Sequence, residues 1–349
     1  MVLRYRFWSY GLNRPMIGRN RTGDHRRLGS HRSDRSEKAK MDMLRPEGSW
    51  VAIPTPFTDD DNVDFDGFQK LVDFQIEHGT DGLLLMGSTG ESPSLTMDER
   101  REILDKVLPY ARGRIPVLAG TTCGNTKQTM ELSRYAEEAG ADGLLLVVPP
   151  YLRPTQDGLY EHFKAVAEAV KSPVAIYNNP TRVGVNIDPP TVIALAEIPN
   201  IVADKEAMPN VSQLVQIWRQ AGDKINLLCC DAPGFSLIVP TLALGGHGTA
   251  NISGNIIPRE MAEMSRPWRT WEDVERTREL LRTYFPAMSA MYSVTNPVAV
   301  KAALRVLGLP AGHVRRPLLD LNESDTRALE NLLDNLGITE RYGQGRIEA

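Results

Sequence analysis

The segment His78-Gly-Thr-Asp-Gly-Leu-Leu-Leu-Met86 is echoed at Ala139-Gly-Ala-Asp-Gly-Leu-Leu-Leu-Val147. Each copy is a glycine that ends a helix, a tight turn, and a strand with no polar residue in it. Successive side chains of a strand point to opposite faces, so a strand with one wet face alternates. A strand that is apolar throughout needs cover on both faces, which is the condition of a parallel sheet packed by helices. Self-similarity of this kind marks repeated strand–helix units.

The unit recurs along the chain. Short apolar runs lie at 50–53, 83–86, 116–119, 144–148, 174–177, 201–203, 225–229 and 247–252. Helical spacing fills the gaps. Phe68, Leu71, Val72 and Ile76 repeat at three and four residues, and Gly79 closes that helix. Thr96 with Glu99 three residues on forms a capping box, and Asn125 or Thr126 caps a helix that runs to Gly140. Eight strands with intervening helices predict an α/β fold, a closed (β/α)8 TIM barrel. An open doubly wound sheet would carry a Gly-rich phosphate fingerprint after its first strand, and there is none. Beyond Pro258 the pattern turns wholly helical, at 274–284, 297–307 and 324–336. The expected organisation is a disordered basic extension over 1–43, the barrel over 44–257 and a C-terminal helical region over 258–349.

The extension differs in composition from the rest. Its first forty residues hold nine Arg and two Lys against three acids, with no hydrophobic period. Three origins fit it: a floppy tail, a start-site artefact (Met41 and Met43 are alternative starts), or an Arg-rich transit peptide. The whole chain carries a net charge of -4, which argues against nucleic acid or an anionic membrane as partner. No apolar run reaches membrane-spanning length. Cys123, Cys229 and Cys230 form neither a CxxC motif nor an even-numbered framework, so a reducing, cytoplasmic location is expected.

The sixth strand carries the chemistry. If Ile201 and Ala203 face the barrel interior, alternation turns Lys205 the same way, at the strand's carboxyl end. Barrel enzymes act at that end. A lysine held in an apolar interior favours the free amine that attacks carbonyls; the alternative is a stem that curls into solvent. The parity Pro173, Ala175, Tyr177 turns Tyr177 inward at the end of strand five. Gly87-Ser88-Thr89-Gly90-Glu91 follows strand two, and Tyr151 and Arg153 follow strand four. Alone, the glycine-flanked loop is also an ordinary turn and Tyr177 an ordinary core tyrosine. Their coincidence at separate strand ends turns the reading toward one site for carbonyl chemistry on a keto acid. The six histidines show no HxH or HExxH spacing, so no metal and no cofactor is expected.

Three motifs, Gly87-Ser-Thr-Gly-Glu91, Tyr177-Asn-Asn-Pro-Thr-Arg-Val-Gly184 and Asp204-Lys-Glu-Ala207, resemble the signatures of the dihydrodipicolinate synthase family. That family lies among the pyruvate-dependent lyases that include N-acetylneuraminate lyase. The resemblance spans about Ser49 to Leu336 and implies roles for named residues. Lys205 would form a Schiff base with pyruvate, and Tyr177 would shuttle protons. Ser88 takes the place of a relay hydroxyl, and Tyr151 that of the tyrosine completing the relay across a dimer interface. Backbone N–H groups at Ser88 and Thr89 would hold the pyruvate carboxylate, and Ala250 would contact pyruvate. Arg182 would anchor the carboxylate of the aldehyde substrate.

The implied reaction condenses pyruvate with L-aspartate semialdehyde, early in lysine and diaminopimelate synthesis. The runner-up is a pyruvate-dependent aldolase acting on a sugar acid or other aldehyde. The resemblance also implies a homo-oligomer, a tetramer built as a dimer of dimers. The sequence departs from the family at Cys229-Cys230-Asp231-Ala232, where a Gly-Asp-Asp type segment is usual, and at Ala250, usually a branched residue. The places matching the lysine-effector site of sensitive relatives hold Pro93, Met97, Arg100, Gly124, Gln128 and Pro150. These offer an ammonium no carboxylate, so weak lysine inhibition, or none, is expected.

Overall fold

Eight parallel strands close a barrel in chain order: β1 (Gly48–Ala52), β2 (Gly82–Leu85), β3 (Val117–Gly120), β4 (Gly143–Val147), β5 (Val174–Asn178), β6 (Ile201–Glu206), β7 (Asn226–Cys229) and β8 (Gly248–Asn251). β8 pairs back onto β1, so no edge is left open. The computed structural model describes residues 43–231 and 235–344. The extension expected over 1–43 lies, apart from Met43, outside the described residues, as does Ala232. Helices fill the connections: α1 (Phe65–Glu77), α2 (Met97–Ala111), α3 (Thr126–Ala139), α4 (Gln156–Glu168), α5 (Pro180–Val183), α6 (Pro189–Leu195), α7 (Val211–Ala221) and α8 (Ile238–Ala243). The α/β TIM barrel read from the sequence is the fold observed.

The repeated Asp-Gly has a structural cause. Asp81 Oδ2 accepts the backbone N–H of Ser49 at 2.7 Å, and Asp142 Oδ2 accepts that of Val117 at 2.9 Å. Each aspartate thus secures the start of the preceding strand. Gly82 stands beside Trp50 in register, and a Cβ there would meet the indole ring at 2.5 Å. Gly143 stands beside Leu118, and a Cβ there would meet a leucine methyl at 2.6 Å. Glycine is required at both because the neighbouring strand's large side chain fills the space. The capping box at Thr96 and Glu99 is present, and Asn125 caps α3 through the N–H of Gln128.

β6 runs to Glu206, three residues past the apolar stretch. The charged Asp-Lys-Glu hid this continuation from a hydrophobicity reading. Backbone pairing on both sides carries the strand on: Lys205 lies in register with Tyr177 of β5 and Leu228 of β7. On the outer face Glu206 is satisfied by Asn178 Nδ2 at 3.0 Å, Gln213 Nε2 at 2.9 Å and the Met208 N–H at 2.6 Å. Asp204, fully buried, has no hydrogen-bond partner at either carboxylate oxygen. Burial first, and then the nearby Glu206, hold its carboxyl well above the usual carboxylate range.

After β8 come α9 (Pro258–Met264), α10 (Trp271–Ala290), α11 (Val298–Val306), α12 (Glu323–Asn335) and α13 (Ile338–Tyr342). α9 and α13 were not expected, because seven and five residues are too few to display a helical period. Glu260 of α9 gathers this region. It accepts Tyr342 Oη at 2.6 Å and Tyr284 Oη at 3.3 Å, and it pairs with Arg341. α11 is buried from Val298 through Leu304. It packs where the turn after β2 leaves the barrel.

Candidate active site

At the carboxyl ends of the strands lies a cavity of about 430 Å³. Lys205, Tyr177, Ser88, Thr89, Arg182 and Ala250 all line it. An adjoining cavity of about 480 Å³ shares Ser88, Tyr177, Arg182 and Asn296. Alternation along β6 turns Lys205 inward: it is 5% exposed and its Nζ sits 4.2 Å from the centroid of the Tyr177 ring.

Tyr177 is also buried, and its hydroxyl has two neighbours. Asn179 Nδ2 donates to it at 2.7 Å, and the Cys230 thiol lies 3.9 Å away. Burial and then Cys230 push the phenol's pKa well above 10, so the hydroxyl keeps its proton at neutral pH. Burial likewise raises the Cys230 thiol to about 11. Among the described residues no hydrogen bond joins Tyr177 to Ser88. Asn179 has a second task. Its Oδ1 accepts the Arg182 N–H at 3.2 Å and caps α5, with Pro180 at the first helical position. One side chain therefore ties Tyr177 to the turn that carries Arg182.

Arg182 is exposed at the mouth, its Nη2 donating to the carbonyl of Asn296 at 3.2 Å. Asn296 also donates from Nδ2 to Thr89 Oγ1 at 3.0 Å, while its own Oδ1 is buried without a partner. Thr89 is buried, and Ser88 is half-buried in the turn closed by Glu91 N–H to Ser88 O at 3.2 Å. Asp231 joins the ends of β7 and β8, accepting the Ser253 N–H at 3.0 Å and Ser253 Oγ at 2.6 Å. Its other oxygen takes the hydroxyl of Tyr292, a residue of the cavity wall.

Tyr151 stands apart. It is 95% exposed, with φ of 75°, and lines neither cavity of its own chain. Asn179, Asn296 and Tyr292 were not singled out in the sequence. Asn179 had a local signal, an asparagine directly before proline in the Tyr177 motif. Asn296 and Tyr292 come from the helical region and had none. Cys230 was visible only as a departure. Among the described residues no group of three or more His, Cys, Asp or Glu side chains is placed to hold a metal ion, and no helix is long and apolar enough to cross a membrane.

An amine, a protonated phenol beside it, backbone donors in a tight turn and a guanidinium at the mouth can form and use an imine of a keto acid. A sequence model of the dihydrodipicolinate synthetase family matches residues 45–336. The 4-hydroxy-tetrahydrodipicolinate synthase of Methanocaldococcus jannaschii is 42% identical over 293 residues, covering 84% of this chain and 99% of the relative. The crystal structure of dihydrodipicolinate synthase from Aquifex aeolicus superposes with a TM-score of 0.79 at 37% identity, covering 84% of this chain and 99% of that one. The chloride-inhibited dihydrodipicolinate synthase of Acinetobacter baumannii, complexed with pyruvate, superposes with a TM-score of 0.77 at 35% identity, covering 84% and 99%. With a family match across the barrel and the helices behind it, and with relatives aligned over nearly their whole length, the chain belongs to the dihydrodipicolinate synthetase family.

Proposed function

We infer that this chain is a Schiff-base-forming lyase that condenses pyruvate with L-aspartate semialdehyde to 4-hydroxy-tetrahydrodipicolinate, a step of lysine and diaminopimelate synthesis. The observation that carries this is the buried Lys205 amine against the Tyr177 ring, in the cavity shared with Ser88, Thr89 and Arg182. The amine attacks the C2 carbonyl of pyruvate, and the carbonyl oxygen leaves as water, giving an imine. Loss of a C3 proton makes an enamine, whose carbon attacks the aldehyde. The aldehyde oxygen takes a proton and becomes the 4-hydroxyl. The second substrate's own amine then displaces Lys205 and closes the ring.

Tyr177 suits the proton transfers because its phenol keeps its proton and lies beside the amine. Ser88 would extend the relay, and the N–H groups of Ser88 and Thr89 would hold the pyruvate carboxylate, with Ala250 on its other side. Arg182 would receive the carboxylate of the aldehyde substrate. Tyr151 would act on a partner's site in a homo-oligomer, a dimer of dimers. Its exposure supports that reading, as does the stripe Val211, Val215 and Trp218 on α7, which is 45%, 37% and 41% exposed. Three unpaired cysteines favour the cytoplasm.

The test is borohydride reduction with pyruvate, read by intact mass and peptide mapping. A reduced pyruvyl adduct on Lys205 is expected; none, or one on another lysine, refutes the reading. Product identification with aspartate semialdehyde and with sugar-acid aldehydes then decides the second substrate.

A further inference from the structure

Among the described residues two lysines are buried, and only Lys205 lines the cavity that holds the reacting groups. The other, Lys301 of α11, is wholly buried. Its Nζ lies 2.6 Å from Glu91 Oε1, donates to the His313 carbonyl at 2.6 Å, and stands 4.2 Å from the centroid of the Phe57 ring. A buried ion pair is weak ground for stability, since apolar residues of the same size often serve as well. What the pair does is better read from where Glu91 sits.

Glu91 ends the Gly87–Glu91 turn. Its φ is 51°, in the left-handed region, and its N–H closes the turn on Ser88 O. Glu91 is a residue of the adjoining cavity, the one that also holds Ser88, Arg182 and Asn296, and its carboxylate is buried beside that cavity. The other carboxylate oxygen, Oε2, accepts the Arg315 N–H at 2.8 Å. A backbone N–H thus holds one oxygen of the group independently of Lys301. Charge is the remaining problem: an anion at the wall opposes a substrate whose carboxylate docks on the same turn.

We propose that Lys301 is a positioning residue for keto-acid binding, the counter-ion that keeps the Glu91 carboxylate from opposing the substrate's carboxylate. This rests on the pyruvate reading above. The charged groups around Lys301 are Glu91 from the turn after β2, Arg305 on α11 and Asp320 beyond it, which pair with each other at 3.1 Å. Nearby, the His313 ring pairs with Asp61 at 2.9 Å, and the Arg315 guanidinium is taken up by Glu99 and Asp61. None of these replaces the Lys301 ammonium at Glu91. Burial lowers the Lys301 pKa to about 8, against the opposing pull of Glu91. A lowered lysine loses its charge as pH rises through that value, so the neutralisation fades on the alkaline side.

The experiment measures half-saturating pyruvate for the borohydride-trapped imine, by intact mass, in the full chain. Lys301→Met should raise it roughly tenfold or more, with the maximal adduct yield unchanged. Adding Glu91→Gln to that variant should return it to within about threefold of the parent, since both charges are gone and an amide oxygen still accepts from Arg315. Glu91→Gln alone should bind pyruvate at least as tightly as the parent. Its half-saturation should stay flat between pH 7 and 9, where the parent's rises. A folded Lys301→Met with unchanged half-saturation, or a double variant no better than the single one, overturns the proposal. Should the single variant fail to fold, the pH comparison between parent and Glu91→Gln decides alone, and parallel rises in both overturn it. A parent that traps no imine at all sinks the pyruvate reading and this proposal together; a parent that traps it normally leaves only the counter-ion at stake.

Discussion

Replacing Asp204 by valine should stabilise the protein. Asp204 is fully buried on the outer face of β6, between Ile176 of β5 and Leu227 of β7 in register, and neither oxygen has a partner. A buried polar group left unsatisfied costs roughly 1–3 kcal/mol, and valine fits a strand's two-sided cover better than aspartate. A gain of about 1–3 kcal/mol is therefore expected from the neutral carboxyl alone. Proton linkage adds to this. In the unfolded chain the group titrates near 3.8, whereas burial raises it well above that in the fold. Between those values the folded state binds the extra proton, so the parent loses stability as pH rises, by about 1.4 kcal/mol for each pH unit. The advantage of Asp204→Val should accordingly be least near pH 4 and grow toward neutrality. Glu206, whose carboxyl is also raised by burial, is present in both proteins. Urea melts of parent and variant at pH 4.5 and 7.5 provide the comparison, with imine trapping as a check that the cavity face is untouched. A variant less stable than the parent at pH 7.5, or a gap that does not widen with pH, would refute the reasoning.

Tyr177→Phe should fold normally yet lose roughly 100- to 10,000-fold in turnover, the usual worth of a positioned proton carrier; steady-state kinetics showing less than about a fivefold loss would reduce Tyr177 to packing. Arg182→Ala should lower kcat/KM for the aldehyde roughly tenfold, the lower end for a charge-assisted bond because the side chain is exposed, and leave half-saturating pyruvate for imine formation unchanged. Lysine should inhibit weakly or not at all. Arg100 is buried there with its guanidinium on the Ser92 and Thr122 carbonyls, in a wall with Pro93, Gly124 and Pro150, and its positive charge repels an incoming ammonium. Half-inhibition at sub-millimolar lysine, titrated at sub-saturating pyruvate, would contradict this.

The barrel was legible because its rule is local. An all-apolar strand behind a helix-ending glycine states its own surroundings, and the Asp-Gly echo turned out to encode two contacts with the preceding strand. Lys205 was legible for the same reason, since alternation along β6 needs only residues 201–205. Legibility weakened where charge interrupted that rule: the apolar run of β6 stops at Ala203, only alternation carried the reading on to Lys205, and Glu206 as part of the strand was missed. It failed where a site is assembled from distant segments. Thr89 and Asn296 are separated by 207 positions, and nothing in the run Thr295-Asn-Pro297 says which strand end it will reach. Asn179 lay between the two: its capping role before Pro180 was readable, but its bond to Tyr177 depends on the turn's geometry.

The hydrogen bond from Asn296 to Thr89 also has a meaning in time. A ribosome adds roughly 5–20 residues per second, so Thr89 emerges about 10–40 seconds before the group that will hold its hydroxyl. Arg315, which grips Glu91, follows later still, 224 positions after it. From the moment Lys205 is added until Asn296 follows it, the amine is already made, while the turn proposed to hold the acid end of the substrate is unsecured. On the pyruvate reading, the pocket for the keto acid's carboxylate is therefore completed only late in synthesis.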